Sequence, residues 1–379
     1  MHILIAPDKF KDSLTAAEVC DAIREGILLY NSNFDVITIP MADGGNGTAE
    51  ILTSNTGGAM HTVPVHDPLM RKIKASYGIS GDGKTAFMEM AAASGLELLK
   101  DEERNCMITS TFGTGELLLD AINHGVDSII MGIGGSATTD GGMGMAAALG
   151  FQFTGEDGKV LDPVGENLIK VREIKKPADF SSLSGKIRIR VACDVENPLY
   201  GKNGAAFIYG PQKGAGEKEV KILDEGLKNF AVHLKRFSGR DVSHIPGSGA
   251  AGGLGAGLMA LLNGELVPGV KLVMEETGFE KHLEGIDLVI TGEGKMDIQT
   301  LQGKVVHGVC KIARLHNIPV AALAGSMLLS PEQLQSLPVC YAASITTGPM
   351  ELTQALKNAR ELIRNAAWNL VGLFCAGRE

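Results

Sequence analysis

The chain has 379 residues, room for about two domains, and its 44% hydrophobic and 21% charged residues argue against wholesale disorder. With 35 Lys and Arg against 44 Asp and Glu, the net charge of −9 speaks against nucleic acid as a partner, and 5% aromatics leave little for base stacking. No stretch approaches the ~20 apolar residues of a membrane helix, the N-terminus has no signal-peptide pattern, and six scattered cysteines form no CxxC pair. A cytoplasmic protein with reduced thiols, no membrane partner and no zinc site is expected.

Residues 2–6 read as a short strand ending at Pro7-Asp8-Lys9. Thr15 and Glu18 have capping-box spacing and open a helix with Val19, Ala22, Ile23 and Ile27 on one face. Residues 36–40 form a second strand, followed by a glycine loop at 42–48 and a helix from Ala49. Residues 62–90 look like extended segments with a hairpin turn at Ser80–Gly83, and 115–134 like a helix and the strand 128–133. A hairpin is expected at 151–162, a strand at Lys186–Cys193, and an amphipathic helix at 217–238. Strands then recur at 287–291, 320–325 and 341–345, with a helix at 303–316 between the first two and a last helix starting near Pro349. The alternation implies a discontinuous doubly wound parallel-sheet domain, about 1–61 plus 285–379, with a mixed α/β domain inserted at 62–284. The strand at 128–133 fits either.

Glycine is the compositional anomaly: 49 residues, about 13% against a usual ~7%. Four clusters stand out, at 42–48, 132–144, 247–257 and 291–304. Glycine lets backbone amides converge on an anion, and a helix N-terminus adds partial positive charge. Singly, each cluster reads as a tight turn; several at the carboxyl ends of strands lie where open α/β sheets bind ligands. Gly132-Ile-Gly-Gly-Ser-Ala137 fits a dinucleotide fingerprint, but more polar and glycine positions precede the next helix than that motif has. Gly78–Thr85 fits GxxxxGK[ST], yet its surroundings are turn-like. Asp43, Asp140, Asp194, Glu293 and Asp297 sit beside glycine segments or strand ends, with Lys9, Lys11, Lys213, Lys295 and Lys304 as cations. Carboxylates for Mg²⁺, cations and amides for phosphate, and an acid for the acceptor's proton are the needs of phosphoryl transfer.

The run APDKFKDSLTAAE (6–18) and PMADGGNGT (40–48) resemble the bacterial glycerate kinase family's APDSFKxSLSAxE and PxADGGEGT. EMAAASGLELL (89–99), TSTFGTGELLLDAINHG (109–125), GIGGSATTDGGMGMAAALG (132–150), ACDVENPLYGKNGAAFIYGPQKGA (192–215), GSGAAGGLGA (247–256) and DLVITGEGKMDIQTLQGK (287–304) are similar to further signatures, in the same order. Asn46 replaces the family's Glu, and Thr139 its common Asn. The resemblance implies ATP- and Mg²⁺-dependent phosphorylation of D-glycerate, usually to 2-phosphoglycerate. It also implies a flavodoxin-like domain with an inserted restriction-enzyme-like α/β domain, and no P-loop.

On this basis glycerate is expected in an interdomain cleft whose closure excludes water. Lys9, Lys11 or Arg71 would hold its carboxylate, with Asp8, Asn46 and Lys304 also lining the substrate. The amides of Gly134, Gly135, Ser136, Gly252 and Gly253, with Lys213, would take the ATP phosphates. Asp194 or Glu293 would ligate Mg²⁺, and Asp43 or Asp297 would accept the hydroxyl proton, with Lys9 in the catalytic group. Phosphorylation at the 3-hydroxyl, an NAD(P)-dependent oxidoreductase of small hydroxy acids, and a non-catalytic sugar-acid sensor are the alternatives. The protein is expected to be a monomer or homodimer.

Overall fold

The computed structural model describes residues 1–178 and 187–377. The chain divides into two units, Met1–Asp43 with Val270–Glu379, and Gly44–Gly269. The first unit begins with β1 (His2–Ile5) and β2 (Asp35–Thr38). The second holds β3 (Ala59–His66), β4 (Lys72–Ile79), β5 (Thr85–Glu89), β6 (Ser128–Gly132), β7 (Gln152–Thr154), β8 (Glu173–Lys175), β9 (Arg188–Ala192) and β10 (Glu265–Val267). The chain then returns to the first unit for β11 (Leu288–Met296), β12 (Val320–Met327) and β13 (Tyr341–Ser344).

In the first unit all pairings are parallel, in the order β13-β12-β11-β1-β2. Counted within the unit this is the doubly wound order 2-1-3-4-5, which reverses at β1. Ile3, Leu4, Ile5, Leu288, Val289 and Ile290 are all fully buried, so both faces of these strands are covered. The first helix, Ala16–Tyr30, starts at the expected capping box: Glu18 N–H donates to Thr15 Oγ1, and Thr15 N–H to the Glu18 carboxylate. It packs on the helix Ala359–Ala376 at Gly26, where a Cβ would collide with the Arg364 carbonyl. The last helix is split. Leu352–Lys357 buries no residue and breaks at Asn358, so packing does not hold it in line with Ala359–Ala376, and Pro349 lies ahead of the N-cap Glu351.

The second unit has a six-stranded mixed sheet, β10-β9-β6-β5-β4-β3. β5, β6, β9 and β10 run parallel, while β3 and β4 add antiparallel pairs. The strand at 128–133 therefore belongs here, as β6. Gly78–Thr85 is the hairpin joining β4 to β5, closed by Ser80 N–H on the Thr85 carbonyl, so Lys84 is a hairpin lysine. The expected 151–162 hairpin is reduced to one bridge, Thr154 to Val160, because β7 pairs with β8, where Phe153 faces Ile174. The helix Glu217–Ser238 matches its reading and ends at Gly239 in the left-handed region. Lys186, in the expected strand before Cys193, lies outside the described residues.

The unit boundaries fall at 43/44 and 269/270 rather than at 61/62 and 284/285. The helix Thr48–Asn55 lies against β4, with Thr53 over Gly78, which places it in the second unit. The helix Gly269–Glu276 lies against the helix Val305–Leu315, with Val270 and Met274 over Gly308.

Gly26→Ala forces apart two helices that have no room for a methyl group. The substitution is expected to destabilise the protein by about 2 kcal/mol, read as a lower urea midpoint at unchanged slope.

Candidate active site

In the first unit, hydrogen bonding continues past the strand ends. Asp8 N–H donates to the Gly292 carbonyl and Met41 N–H to the Pro7 carbonyl, both beyond β1. Asp8 and Asp43 are thereby delivered past the carboxyl ends of β1 and β2, near Glu293 in the second half of β11, around the point where the strand order reverses. Asp8 is 7% exposed. Its Oδ1 accepts the Lys9 N–H, but burial, and then the Asp43 charge, push its carboxyl up to about 7. Glu293 is 4% exposed, and burial raises its pKa against an opposing hydrogen bond from Thr300 Oγ1 at 2.5 Å. Thr300 Oγ1 also accepts the Asp297 N–H, so one hydroxyl ties the Asp297 turn to Glu293.

Asp297 differs from its neighbours. The Gln299 N–H and Lys295, at 3.1 Å, hold its carboxyl below the usual range. Lys304 is the N-cap of Val305–Leu315 and lies within electrostatic reach of Glu293. Lys11 is exposed in the tight turn between Phe10 and Leu14, where Asp12 has φ +63.

In the second unit, the carboxyl ends of β5, β6, β9 and β10 gather a second set of residues. Gly44 packs on Ala192 and Gly269, and Asn46 approaches Gly135. Gly134 and Gly135 are exposed, and the N–H groups of Gly134, Gly135 and Ser136 donate to no described residue. Three successive amides of this kind could receive an anion. Lys213, 2% exposed, lies behind them, with Nζ 2.6 Å from Ser136 Oγ and 2.7 Å from the Thr138 carbonyl; burial lowers its pKa to about 8. Asp140 is fully buried and accepts from Thr111 N–H and Oγ1, Gly142 N–H and Gly144 N–H. Burial pushes its carboxyl up and these four donors oppose that, so Asp140 braces the loop rather than facing a ligand.

Five expected site residues make other contacts in the fold. Gly252 and Gly253 are buried against Thr138–Gly141, and Gly253 N–H donates to the Gly249 carbonyl. With Ala251 they take left-handed conformations, so the segment is a packed turn and the regular helix begins after it. Arg71 gives Nε to Asp67 at 2.5 Å and a terminal nitrogen to Glu103 at 2.7 Å, which leaves it poorly placed to clamp a substrate. Asp194 is exposed at the end of β9 and accepts the Gly269 N–H. Asn46 donates to Glu97 at 3.3 Å. Thr139, the other departure from the family pattern, is fully buried.

Sequence reasoning did not single out Thr300 or Glu89. Glu89 Oε1 accepts the Gly47 and Ala49 N–H groups, capping the helix Thr48–Asn55 from 40 residues away in the chain. No local spacing announces such a cap. Thr300, three residues after Asp297, has turn spacing that could have revealed it.

Among the described residues no group of three or more His, Cys, Asp and Glu could hold a metal ion. Mg²⁺ commonly needs only one or two carboxylates, with water and phosphate completing its shell. The mutual electrostatic reach of Asp8, Asp43 and Glu293 leaves an excess of negative charge that a divalent cation suits.

Asp140→Ala leaves four buried donors unsatisfied and is expected to destabilise the protein by about 3 kcal/mol in denaturant unfolding. Asp8 has the opposite effect on stability. Its folded pKa of about 7 exceeds the ordinary aspartate value of 3.8, so the native form holds a proton that the unfolded chain releases. Stability contributed by that proton is therefore lost as pH rises between about 4 and 7. Asp8→Asn should flatten this slope in metal-free protein and raise its unfolding midpoint at pH 8.

The glycerate kinase family profile matches residues 3–375. A glycerate kinase of Bacillus cereus is 45% identical over 100% of this chain and 99% of its own length. The glycerate 2-kinase of Escherichia coli K12 is 43% identical, with the same coverage. A crystal structure of a protein described as glycerate kinase 2, from Salmonella typhimurium LT2, superposes with a TM-score of 0.91 at 42% identity, covering 100% of this chain and 99% of that one. The chain belongs to the glycerate kinase family, a family of kinases.

Proposed function

We propose that the chain transfers the γ-phosphoryl group of ATP to the 2-hydroxyl of D-glycerate, with Mg²⁺, giving 2-phosphoglycerate. The observation that carries this is Asp8, a buried carboxylate at the end of β1 with a pKa near neutrality. A general base works best when its pKa lies near the working pH. Asp8 takes the hydroxyl proton as that oxygen bonds to the γ-phosphorus and the bond to the ADP oxygen breaks. Asp43 supports it by raising its basicity. Asp297, held low by Lys295 and a backbone N–H, is the weaker proton acceptor.

Lys9, Lys11 and Lys304 are the cations for the glycerate carboxylate. The amides of Gly134, Gly135 and Ser136 receive phosphate oxygens. Glu293, oriented by Thr300, or Asp194 would hold Mg²⁺, which when bound neutralises charge on the phosphates. We extend the proposal to the fold: the 2-1-3-4-5 order supports a flavodoxin-like first unit, and the mixed sheet supports a restriction-enzyme-like second one. Six free cysteines accord with a cytoplasmic enzyme, and no helix among the described residues is long and apolar enough to cross a membrane. The dinucleotide alternative is set aside, because the family is one of kinases and Gly132–Ala137 does not open directly into the helix Met143–Ala148.

Purified protein with Mg²⁺, ATP and D-glycerate should feed enolase without added phosphoglycerate mutase. Signal only with mutase would move the attack to the 3-hydroxyl, and absence of ADP would refute the kinase reading. Asp8→Asn should lower kcat by roughly 10²-fold or more with little change in KM. The wild-type kcat/KM should fall below about pH 7, as the Asp8 carboxylate takes up its proton, and the variant should lose this acid limb.

A further inference from the structure

We propose that Lys213 is a positioning residue that acts through Ser136: its ammonium fixes the Ser136 hydroxyl as a donor to the anion held by the Gly134–Ser136 loop. This rests on the reading of that loop as the phosphate site. The sequence places Lys213 in Gly210-Pro-Gln-Lys-Gly214 as a direct phosphate ligand, but the folded chain buries it to 2% exposure. Two of its three N–H donors go to Ser136 Oγ, at 2.6 Å, and to the Thr138 carbonyl, at 2.7 Å.

An ammonium has donors only and no lone pair. The 2.6 Å contact therefore makes Ser136 Oγ the acceptor. The single hydroxyl proton then has to point elsewhere, and it has no acceptor among the described residues. It joins the three unused amides beside it. The lysine thus supplies orientation from behind the loop and adds positive charge there, without touching the ligand. The second bond, to the Thr138 carbonyl, pins the far end of the same loop and keeps the Ser136 position fixed.

Protonation makes the arrangement testable. Neutral Nζ gains a lone pair and competes for the Ser136 proton, turning the hydroxyl away from the ligand. The charged or titratable groups that influence Lys213 are Cys106 and Asp140, both of which favour its protonated form.

The test compares steady-state kinetics of wild type, Ser136→Ala, Ser136→Thr, Lys213→Met and the double variant, varying ATP and glycerate separately. Ser136→Ala should raise the KM for ATP about tenfold and leave that for glycerate unchanged, and Ser136→Thr should restore it. Lys213→Met should give a similar rise, and the double variant no more than either single change. Multiplying effects would show that Lys213 reaches the ligand itself and would overturn the proposal. If ATP KM is unmoved in every variant while phosphorylation continues, the phosphate-site reading of the loop fails instead. Should Lys213→Met not fold, the wild-type profile decides. Its ATP KM should rise above about pH 8 and stay flat in Ser136→Ala; a flat wild-type profile, or a rise that persists in the variant, overturns the proposal.

Discussion

The backbone bond from Asp8 N–H to the Gly292 carbonyl, at 2.8 Å, sets the chemistry of the first unit. It extends the pairing of β1 with β11 beyond the strand itself. Asp8, just past β1, is thereby held near Glu293 within β11, under cover and away from water. The equivalent bond from Met41 N–H to the Pro7 carbonyl does the same for β2 and Asp43. Main-chain geometry thus helps to bring three carboxylates within electrostatic reach. Desolvation by burial, and then the charges of Asp43 and Glu293, are the source of the high Asp8 pKa. This is a stability penalty built into the native state, of the kind that functional sites carry.

The second unit handles buried charge differently. Asp140 lies at the centre of four donors, and Lys213 has two oxygen partners, so each has hydrogen-bond partners within the protein. Burying such groups is tolerable only with partners, and here the partners are the loop that presents Gly134, Gly135 and Ser136. The polar interior braces the loop from behind. Its exposed side can then consist of glycines, which add no side chain to obstruct an anion. Gly252 and Gly253 serve the same end indirectly, by letting a second backbone segment press against Thr138–Gly141.

Much of the architecture was legible in the chain. The capping box at Thr15, the stripe on Glu217–Ser238, the Ser80–Gly83 turn and the alternation of apolar strands with helices are local patterns, and local patterns survive folding. The outer boundaries were not. The helices Thr48–Asn55 and Gly269–Glu276 carry no mark of which sheet they will cover, and only contacts such as Thr53 on Gly78 and Val270 on Gly308 assign them. The break at Asn358 has the same origin. Leu352 lies in the last helix as the sequence reads, spaced to share an apolar face with Leu356 and Ile363, yet it is exposed in the fold.

The sequence by itself determined the family, the alternating α/β organisation and the neighbourhoods of Asp8, Asp43, Gly134–Ser136 and Glu293, because long ordered motifs and periodicity are written along the chain. It gave the hydroxyl proton to Asp43 or Asp297 and left Asp8 to line the substrate, and it set Lys213 on the phosphates and Lys11 on the glycerate carboxylate, without a measure of how deeply any of them is buried. Tertiary structure alone separated them. Depth of burial and the count of hydrogen-bond partners set the charge state and reach of each group, and both depend on contacts between residues far apart in the chain.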